Sequence, residues 1–159
     1  DHDTASFAVH TIGQWWRQMG SSRYRHALSL LIIADSGGSN GARVRLWKWE
    51  LQRLADRLAL PISVCHLPPG TSKWNKIGHR LFCHITRTWQ GVPLETVDVV
   101  VESINHTTTE SGLEVHAWLD KKGYESGRKV TDEELAECAI KPLAYHGEWN
   151  YEIHPRMTV

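Results

Sequence analysis

With 159 residues, 41% of them hydrophobic, and a formal net charge of zero, the sequence is long enough for one domain with a core, which we expect over residues 1–159. No apolar run approaches the roughly 18 residues of a membrane span, and the first residues do not resemble a signal peptide, so we expect a cytoplasmic protein without a membrane partner. The three cysteines have no C-x-x-C spacing, which supports neither a disulfide framework nor a zinc ribbon.

The first part of the chain predicts two helices on either side of a buried strand. Thr4 can cap a helix that ends at Gly20, and a basic loop follows over residues 21–26. The uninterrupted apolar run over residues 30–34 predicts a buried strand. Residues 44–58 predict an amphipathic helix, because apolar residues recur at helical spacing. These apolar positions are Val44, Trp47, Leu51, Leu54, Ala55 and Leu58.

The middle of the chain predicts a second strand and two further helices. Residues 62–67 are short, β-branched and apolar, which predicts a strand parallel to the first through a right-handed crossover. Prolines and glycine over residues 68–72 predict an irregular loop, and apolar residues at four-residue spacing predict a helix over residues 75–89. Residues 94–105 predict another helix, although their β-branched content also permits a strand.

The last part of the chain is less regular. Residues 113–119 permit either a strand or a short helix. Thr131 and the acidic residues after it predict a short helix that ends near Cys138. The tail, residues 146–155, has aromatic and extended character. Together these elements predict an α/β fold with a short, mostly parallel sheet flanked by helices.

The stretch most suited to chemistry is the end of the first predicted strand. Asp35 follows the apolar run directly, where open α/β sheets place ligands and where a carboxylate can reach a metal ion. The turn after it would let backbone or substrate come close to the carboxylate. The residues of this supporting turn are Gly37, Gly38, Ser39 and Asn40. The alternative is that Asp35 only starts a turn or caps the next helix.

The balanced net charge conceals two oppositely charged parts. Residues 1–92 contain twelve Lys and Arg against five Asp and Glu, whereas residues 93–159 contain six against thirteen. The first part could therefore face a polyanion. The alternative, which composition alone favours, is that the two parts pair with each other or present solvated faces.

Other site chemistries have less support. His66, His79 and His84 could form a zinc site, but the sequence has no H-x-x-x-H pair and no cysteine pair with the spacing of structural zinc ligands. Most of the eight tryptophans are expected in the core. Trp74, beside Lys73, is the best candidate for stacking on nucleic-acid bases.

Three long motifs occur in order along the chain. They are A-D-S-G-G-S-N-G from Ala34, V-C-H-L-P-P-G-T-S-K-W-N-K-I-G-H-R-L-F from Val64, and H-G-E-W-N-Y from His146. In this order they resemble the Rhodopirellula-type transposases, a DDE group related to mariner-like insertion elements, over nearly the whole chain. The resemblance implies an RNase H-like domain that cuts and joins DNA with two Mg or Mn ions held by three acidic residues. It also implies transposon ends as the partner and a location at the bacterial nucleoid.

The sequence departs from this family pattern at two of the three acids. On the resemblance Asp35 is the second acid. The third acid normally follows the Asn-x-Ile run, where this sequence has Gly78. The first acid belongs to a strand before the helix at Thr4, and Asp1 and Asp3 do not match its motif. We therefore expect a partial RNase H-like fold that lacks its first strands and is incomplete at the N-terminus.

These departures predict a transposase-derived domain that is catalytically inactive as given. Two-metal phosphoryl transfer needs carboxylates that fix ions about 3.5–4 Å apart, and Asp35 alone cannot do this. One alternative is a non-catalytic DNA-binding or oligomerising remnant, and a less supported one is a small metal-dependent nuclease. Because a sheet without its first strands has an unpaired edge, we also expect self-association. The predicted DNA contacts are Lys73, Trp74, Lys76, His79 and Arg80.

Overall fold

The structure is a computed structural model that describes residues 4–156 as an α/β arrangement of one mixed sheet flanked by helices. In chain order the elements are α1 (Ala5–Trp15), β1 (Leu30–Ala34), α2 (Arg45–Leu58), β2 (Ile62–His66), α3 (Cys83–Thr88), α4 (Val97–Asn105), α5 (Asp132–Ala136), β3 (Ile140–Pro142) and β4 (Asn150–Ile153). They belong to two compact units: the second unit is Lys73–Gly123, and the first unit is the rest of the described chain. No helix within residues 4–156 is long and apolar enough to cross a membrane.

The helices α1 and α2 form where the sequence predicts them. Thr4 caps α1, because its side chain accepts a hydrogen bond from an amide of the first turn at 3.1 Å. The chain stays helical beyond the predicted end: a π-helical turn, Trp16–Gly20, leads into a further helical turn, Ser21–Arg23. Part of the predicted basic loop is therefore helical. The backbone of Val44 is extended, and α2 begins at the residue after it.

The sheet has the strand order β1-β2-β4-β3. β1 and β2 are parallel, as predicted, with Leu30 opposite Ile62 and Ala34 opposite His66. β4 is antiparallel to β2, and β3 is antiparallel to β4, so the prediction of a mostly parallel sheet is wrong. The reason is the connection: residues 143–149 join β3 to β4, and a loop of this length closes a hairpin but cannot make the crossover that a parallel pair needs.

One face of the sheet packs against α1 and α2. Side chains alternate between the two faces of a strand, so every second residue of β1, β2 and β4 points into this core. The helix α2 contributes a stripe of apolar side chains at helical spacing. The buried residues of this core are Ala5, Val9, Leu30, Trp47, Leu51, Leu54, Ala55, Ile62, Val64, Tyr151 and Ile153.

Gln52 is a buried polar residue of α2 that ties the helix to the β3–β4 hairpin. Its Nε2 donates to Asp56 Oδ1 at 2.8 Å and to the carbonyl of His154 at 2.9 Å. Its Oε1 accepts a hydrogen bond from the amide of Ala139 at 2.7 Å. Because both ends of the amide have partners, burying Gln52 leaves no unsatisfied polar group on its side chain.

The second unit contains α3 and α4. The helix predicted over residues 75–89 is present, but it begins with a π-helical turn, Gly78–Phe82, before α3. The segment 94–105 is a helix rather than a strand, and α4 begins only after Thr96, whose side chain caps it. Residues 113–119 form neither a strand nor a helix.

Candidate functional site

Asp35 and His66 lie together at the carboxyl end of the two parallel strands. Asp35 directly follows β1, and His66 is the last residue of β2, opposite Ala34. The ring of His66 reaches across to the neighbouring strand, where its Nδ1 lies 3.1 Å from the backbone carbonyl oxygen of Asp35. This edge of the sheet is where an α/β fold presents functional groups.

A buried hydrogen-bond chain connects this edge to the core. Trp47 Nε1 donates to the Tyr151 hydroxyl at 3.0 Å, and that hydroxyl lies 3.1 Å from His66 Nε2. The tautomer that satisfies every group has His66 protonated on Nδ1: Tyr151 then donates to Nε2, and Nδ1 donates to the Asp35 carbonyl. The side chains of Trp47, Tyr151 and His66 are all buried. These hydrogen bonds therefore hold the backbone of Asp35, and with it the position of its side chain.

The surroundings of these hydrogen-bonded side chains keep them uncharged at neutral pH. Burial lowers the pKa of His66, and the positive charge of Lys48 lowers it further, although the hydrogen bond to the Asp35 carbonyl partly opposes both effects. The Lys48 ammonium lies 5.0 Å from the centroid of the Tyr151 ring, and burial lowers the pKa of Lys48 as well. Burial raises the pKa of Tyr151. His66 and Tyr151 are thus both uncharged at neutral pH.

The carboxylate of Asp35 has an unusual feature. Its Oδ1 atom is buried and has no hydrogen-bond partner among residues 4–156. A buried carboxylate oxygen without a partner carries a desolvation cost, so it is available to a donor or a cation. The turn after Asp35 is fixed by glycines: Gly38 has φ +76°, and a Cβ at Gly41 would lie 2.8 Å from the carbonyl oxygen of Ser36.

The described residues do not fit a resident pair of divalent ions. Within residues 4–156 no group of three His, Cys, Asp or Glu side chains is arranged to hold a metal ion. Two other acids of the first unit are already engaged: Glu50 accepts a hydrogen bond from Ser6 at 2.8 Å, and Asp56 binds Arg156 at 2.7 Å. Asp1 and Asp3 lie outside the described residues. Asp35 therefore contributes one carboxylate, which is too few for a two-metal site.

The remaining predicted site residues lie in the second unit. Gly78 begins the π-helical turn before α3, its φ is not in the left-handed region, and no atom lies within 4 Å of the place where a Cβ would stand. The predicted DNA contacts Lys73, Trp74, Lys76, His79 and Arg80 are exposed on the same segment. The structure thus brings Asp35 together with its supporting turn and His66, and the assignment of Asp35 and Gly78 to one site stays a prediction.

Sequence reasoning missed the role of His66 and Tyr151. The sequence patterns point to His66 as a possible zinc ligand and to Tyr151 as part of an aromatic tail, not to a hydrogen bond between the two. One signal was available: Ile62, Val64 and His66 stand at alternate positions of β2, so the strand period puts the imidazole on the buried face. A buried histidine requires polar partners, but their identity depends on strand pairing that the sequence does not display.

Comparison with known proteins gives one positive result. Neither the search of curated proteins nor the search of solved structures found a match. A family model described as the Rhodopirellula transposase DDE domain matches residues 1–155, a span that includes all three motifs. This match confirms the resemblance seen in the sequence. The chain belongs to the Rhodopirellula transposase DDE domain family.

Proposed function

We propose that this chain is a transposase-derived domain that binds DNA but does not, as given, cleave DNA or transfer strands. The observation that carries the proposal is that Gly78 stands where the family pattern has its third acid, while Asp35 matches the second. DDE transposases in general use divalent metal ions, and the described residues do not assemble such a site. Phosphoryl transfer by two ions therefore has no support among residues 4–156.

The environment of Gly78 supports a loss of the acid rather than a structural need for glycine. The residue has neither a left-handed backbone nor a close neighbour at the position of a Cβ. A glutamate could therefore stand there without strain. The backbone at position 78 has room for a glutamate side chain, and the glycine there leaves this position without a carboxylate.

For the fold we propose a single RNase H-like domain. The support is the parallel pair β1 and β2, the helix α2 between them in sequence, and an acid at the end of β1. The mixed sheet is compatible with this proposal. Two further proposals depend on the membership of this family. They are that the intact family site binds Mg or Mn and that the protein is located at the nucleoid.

The proposed DNA contact lies on the segment that leads into α3. Lys73, Lys76 and Arg80 present positive charges to solvent, and Trp74 is 58% exposed. Lysine and arginine that neutralise phosphates give an affinity that falls steeply with salt, and an exposed indole can add stacking on a base. The alternative of a small metal-dependent nuclease is less supported, because it needs further carboxylates beside Asp35.

The experiment is a DNA-binding and cleavage assay of the whole chain, with Mn²⁺ titrated by calorimetry. We expect affinity for DNA that falls with salt, and no cleavage in Mn²⁺. Gly78→Glu is expected to gain Mn²⁺ binding. Gly123→Glu is the matched control, since Gly123 also lies in the second unit with open space at its Cβ and no left-handed φ.

Three results would each contradict a part of this proposal. Cleavage by the unaltered chain would show that three family acids are not needed. An absence of DNA affinity at low salt would remove DNA as the partner. Equal Mn²⁺ binding by Gly78→Glu and Gly123→Glu would show that a glutamate at position 78 does not share a metal site with Asp35.

The oligomerising alternative has its own support in β1. The amide of Leu30 donates to Pro61 and the amide of Leu67 donates to Ala34, so these residues face β2. The alternate residues Leu31 and Ile33 therefore point their amides and carbonyls to the other edge of β1, where the part of the chain that the structure describes places no strand. Their side chains are 61% and 57% exposed.

We propose that a second copy of the chain pairs with this edge. Ile33→Lys is expected to shift the chain toward monomer in analytical ultracentrifugation, because a charge on an edge strand opposes pairing. Val97→Lys, at an equally exposed apolar position of the second unit, is the control and should not. A wild-type chain that stays monomeric at high concentration would contradict the pairing.

A further inference from the structure

The loop between β3 and β4 carries three aromatic rings, of which Tyr145 and His146 are exposed and Trp149 is partly buried. Tyr145 is 76% exposed, and its ring centroid lies 4.4 Å from that of His146 at an interplanar angle of 80°. The His146 ring in turn stacks on Trp149, with a centroid distance of 5.5 Å and an angle of 22°. The Tyr145 ring stands nearly perpendicular to the His146 ring, and its own exposed face is a flat surface of the kind on which planar ligands stack.

The backbone of this loop is held in one conformation. His146 has φ +46°, a left-handed conformation that a non-glycine residue keeps only where its surroundings impose it. The amides of Trp149 and Asn150 donate to the His146 carbonyl at 2.9 and 2.8 Å. Asn150 Nδ2 donates to the Tyr145 carbonyl at 3.0 Å. A Cβ at Gly147 would lie 2.8 Å from the Pro142 side chain, so the loop also needs this glycine.

The rings lie on the same edge of the sheet as Asp35. The amide of His66 donates to the carbonyl of Trp149 at 3.0 Å, and the ring of His66 binds the carbonyl of Asp35. His66 therefore touches the aromatic loop on one side and the candidate acid on the other. All of these residues belong to the first unit.

We propose that Tyr145, backed by His146 and Trp149, is a stacking platform for an unpaired nucleobase of single-stranded DNA beside Asp35. This inference rests on the proposed function, because it takes DNA as the partner. One exposed ring is far smaller than the roughly 800 Å² that each partner contributes to a stable protein interface, but it matches the area of one base. Every base has a π-face, so the platform tolerates any sequence.

The charge around the platform agrees with stacking rather than with phosphate binding. Glu148 is exposed, and its Oε1 lies 3.1 Å from His146 Nδ1, so the loop carries an acid beside its imidazole ring. A carboxylate in this position does not attract a phosphate. The platform therefore contributes contact with a base, and the salt-dependent attraction comes from basic residues elsewhere.

The test compares binding of a single-stranded oligonucleotide containing 2-aminopurine with binding of a duplex of the same length at several salt concentrations. Tyr145→Ala is expected to weaken single-strand binding roughly tenfold and to abolish the quenching of 2-aminopurine. Duplex binding and the slope of affinity against salt should not change, because no charge is removed. Tyr145→Phe keeps the ring and should bind as the unaltered chain does.

Tyr24→Ala is the matched control, since Tyr24 is an exposed tyrosine of the same unit that precedes β1, whereas Tyr145 lies in the loop between β3 and β4. Equal single-strand affinity of Tyr145→Ala and the unaltered chain would overturn the platform. So would an equal loss with Tyr24→Ala or on the duplex. If the unaltered chain binds no DNA even at low salt, the proposed function fails together with this inference. If the chain binds DNA in a salt-dependent way and Tyr145→Ala does not change the affinity, only this inference is overturned.

Discussion

The two units of the chain differ in how their residues are buried. In the first unit α2 places Trp47, Leu51 and Leu54 in a core where each is at most 1% exposed. In the second unit Ile85 at 8% and Thr107 at 2% are the buried residues within Lys73–Gly123. A sheet with helices on one face buries side chains that a pair of short helices leaves exposed.

The two parts of the proposed function, the Asp35 site and the predicted DNA contacts, lie in different units. Asp35 and its hydrogen-bond chain are mounted on the unit with the core, so their geometry is set by packing. Gly78 and the predicted DNA contacts lie in the second unit, where most side chains are at least partly exposed. Exposed side chains suit contacts with a large polyanion. Three predictions test whether the contrast in burial is also a contrast in stability.

The largest effect is expected from truncating the core of the first unit. Leu54→Ala removes a fully buried side chain of α2 and should lower the free energy of unfolding by about 2–5 kcal/mol in urea titrations. Leu94→Ala in the second unit, where the side chain is 41% exposed, should change it by less than about 0.5 kcal/mol. Similar losses for the two variants would mean that the second unit is packed as tightly as the first.

A smaller effect is expected from removing one hydroxyl of the buried chain. Tyr151→Phe leaves Trp47 Nε1 and His66 Nε2 without their partner, which should cost about 1–3 kcal/mol of unfolding free energy. Tyr145→Phe, the same change at an exposed ring, should cost nothing measurable. Thermal unfolding of the two variants side by side makes the comparison. No loss in Tyr151→Phe would contradict the hydrogen-bond chain.

The smallest effect is a dependence of stability on pH that comes from His66. Because burial lowers its pKa in the folded chain, the unfolded chain takes up a proton near pH 6.5 while the folded chain does not. The contribution of neutral His66 is thus fully present above this pH. It is lost as the pH falls toward the lower pKa of the folded state.

Urea titrations between pH 7.5 and 5 measure this dependence. The unfolding free energy of His66→Gln should fall less over this range than that of the unaltered chain. His116→Gln, at an exposed histidine of the second unit, should follow the unaltered chain. A His66→Gln profile identical to that of the unaltered chain would show that His66 is not buried neutral.

The sequence by itself determined the elements that local patterns specify. The apolar run before Asp35 predicted β1, and helical spacing of apolar residues predicted α2. Thr131 predicted the start of α5, where its hydroxyl accepts from the Glu134 amide at 3.2 Å and the Glu134 carboxylate accepts from the Thr131 amide at 3.0 Å. The ordered motifs identified the family, because their residues are contiguous in the chain.

Only the tertiary structure decided the sheet direction and the partners of the buried polar groups. The antiparallel strands β3 and β4 are three and four residues long, too short to leave a period in the sequence, and their register depends on pairing with β2. Trp47 and Tyr151 lie 104 residues apart yet share a hydrogen bond. Contacts across such separations are chosen by the packing of whole elements, so no local pattern announces them.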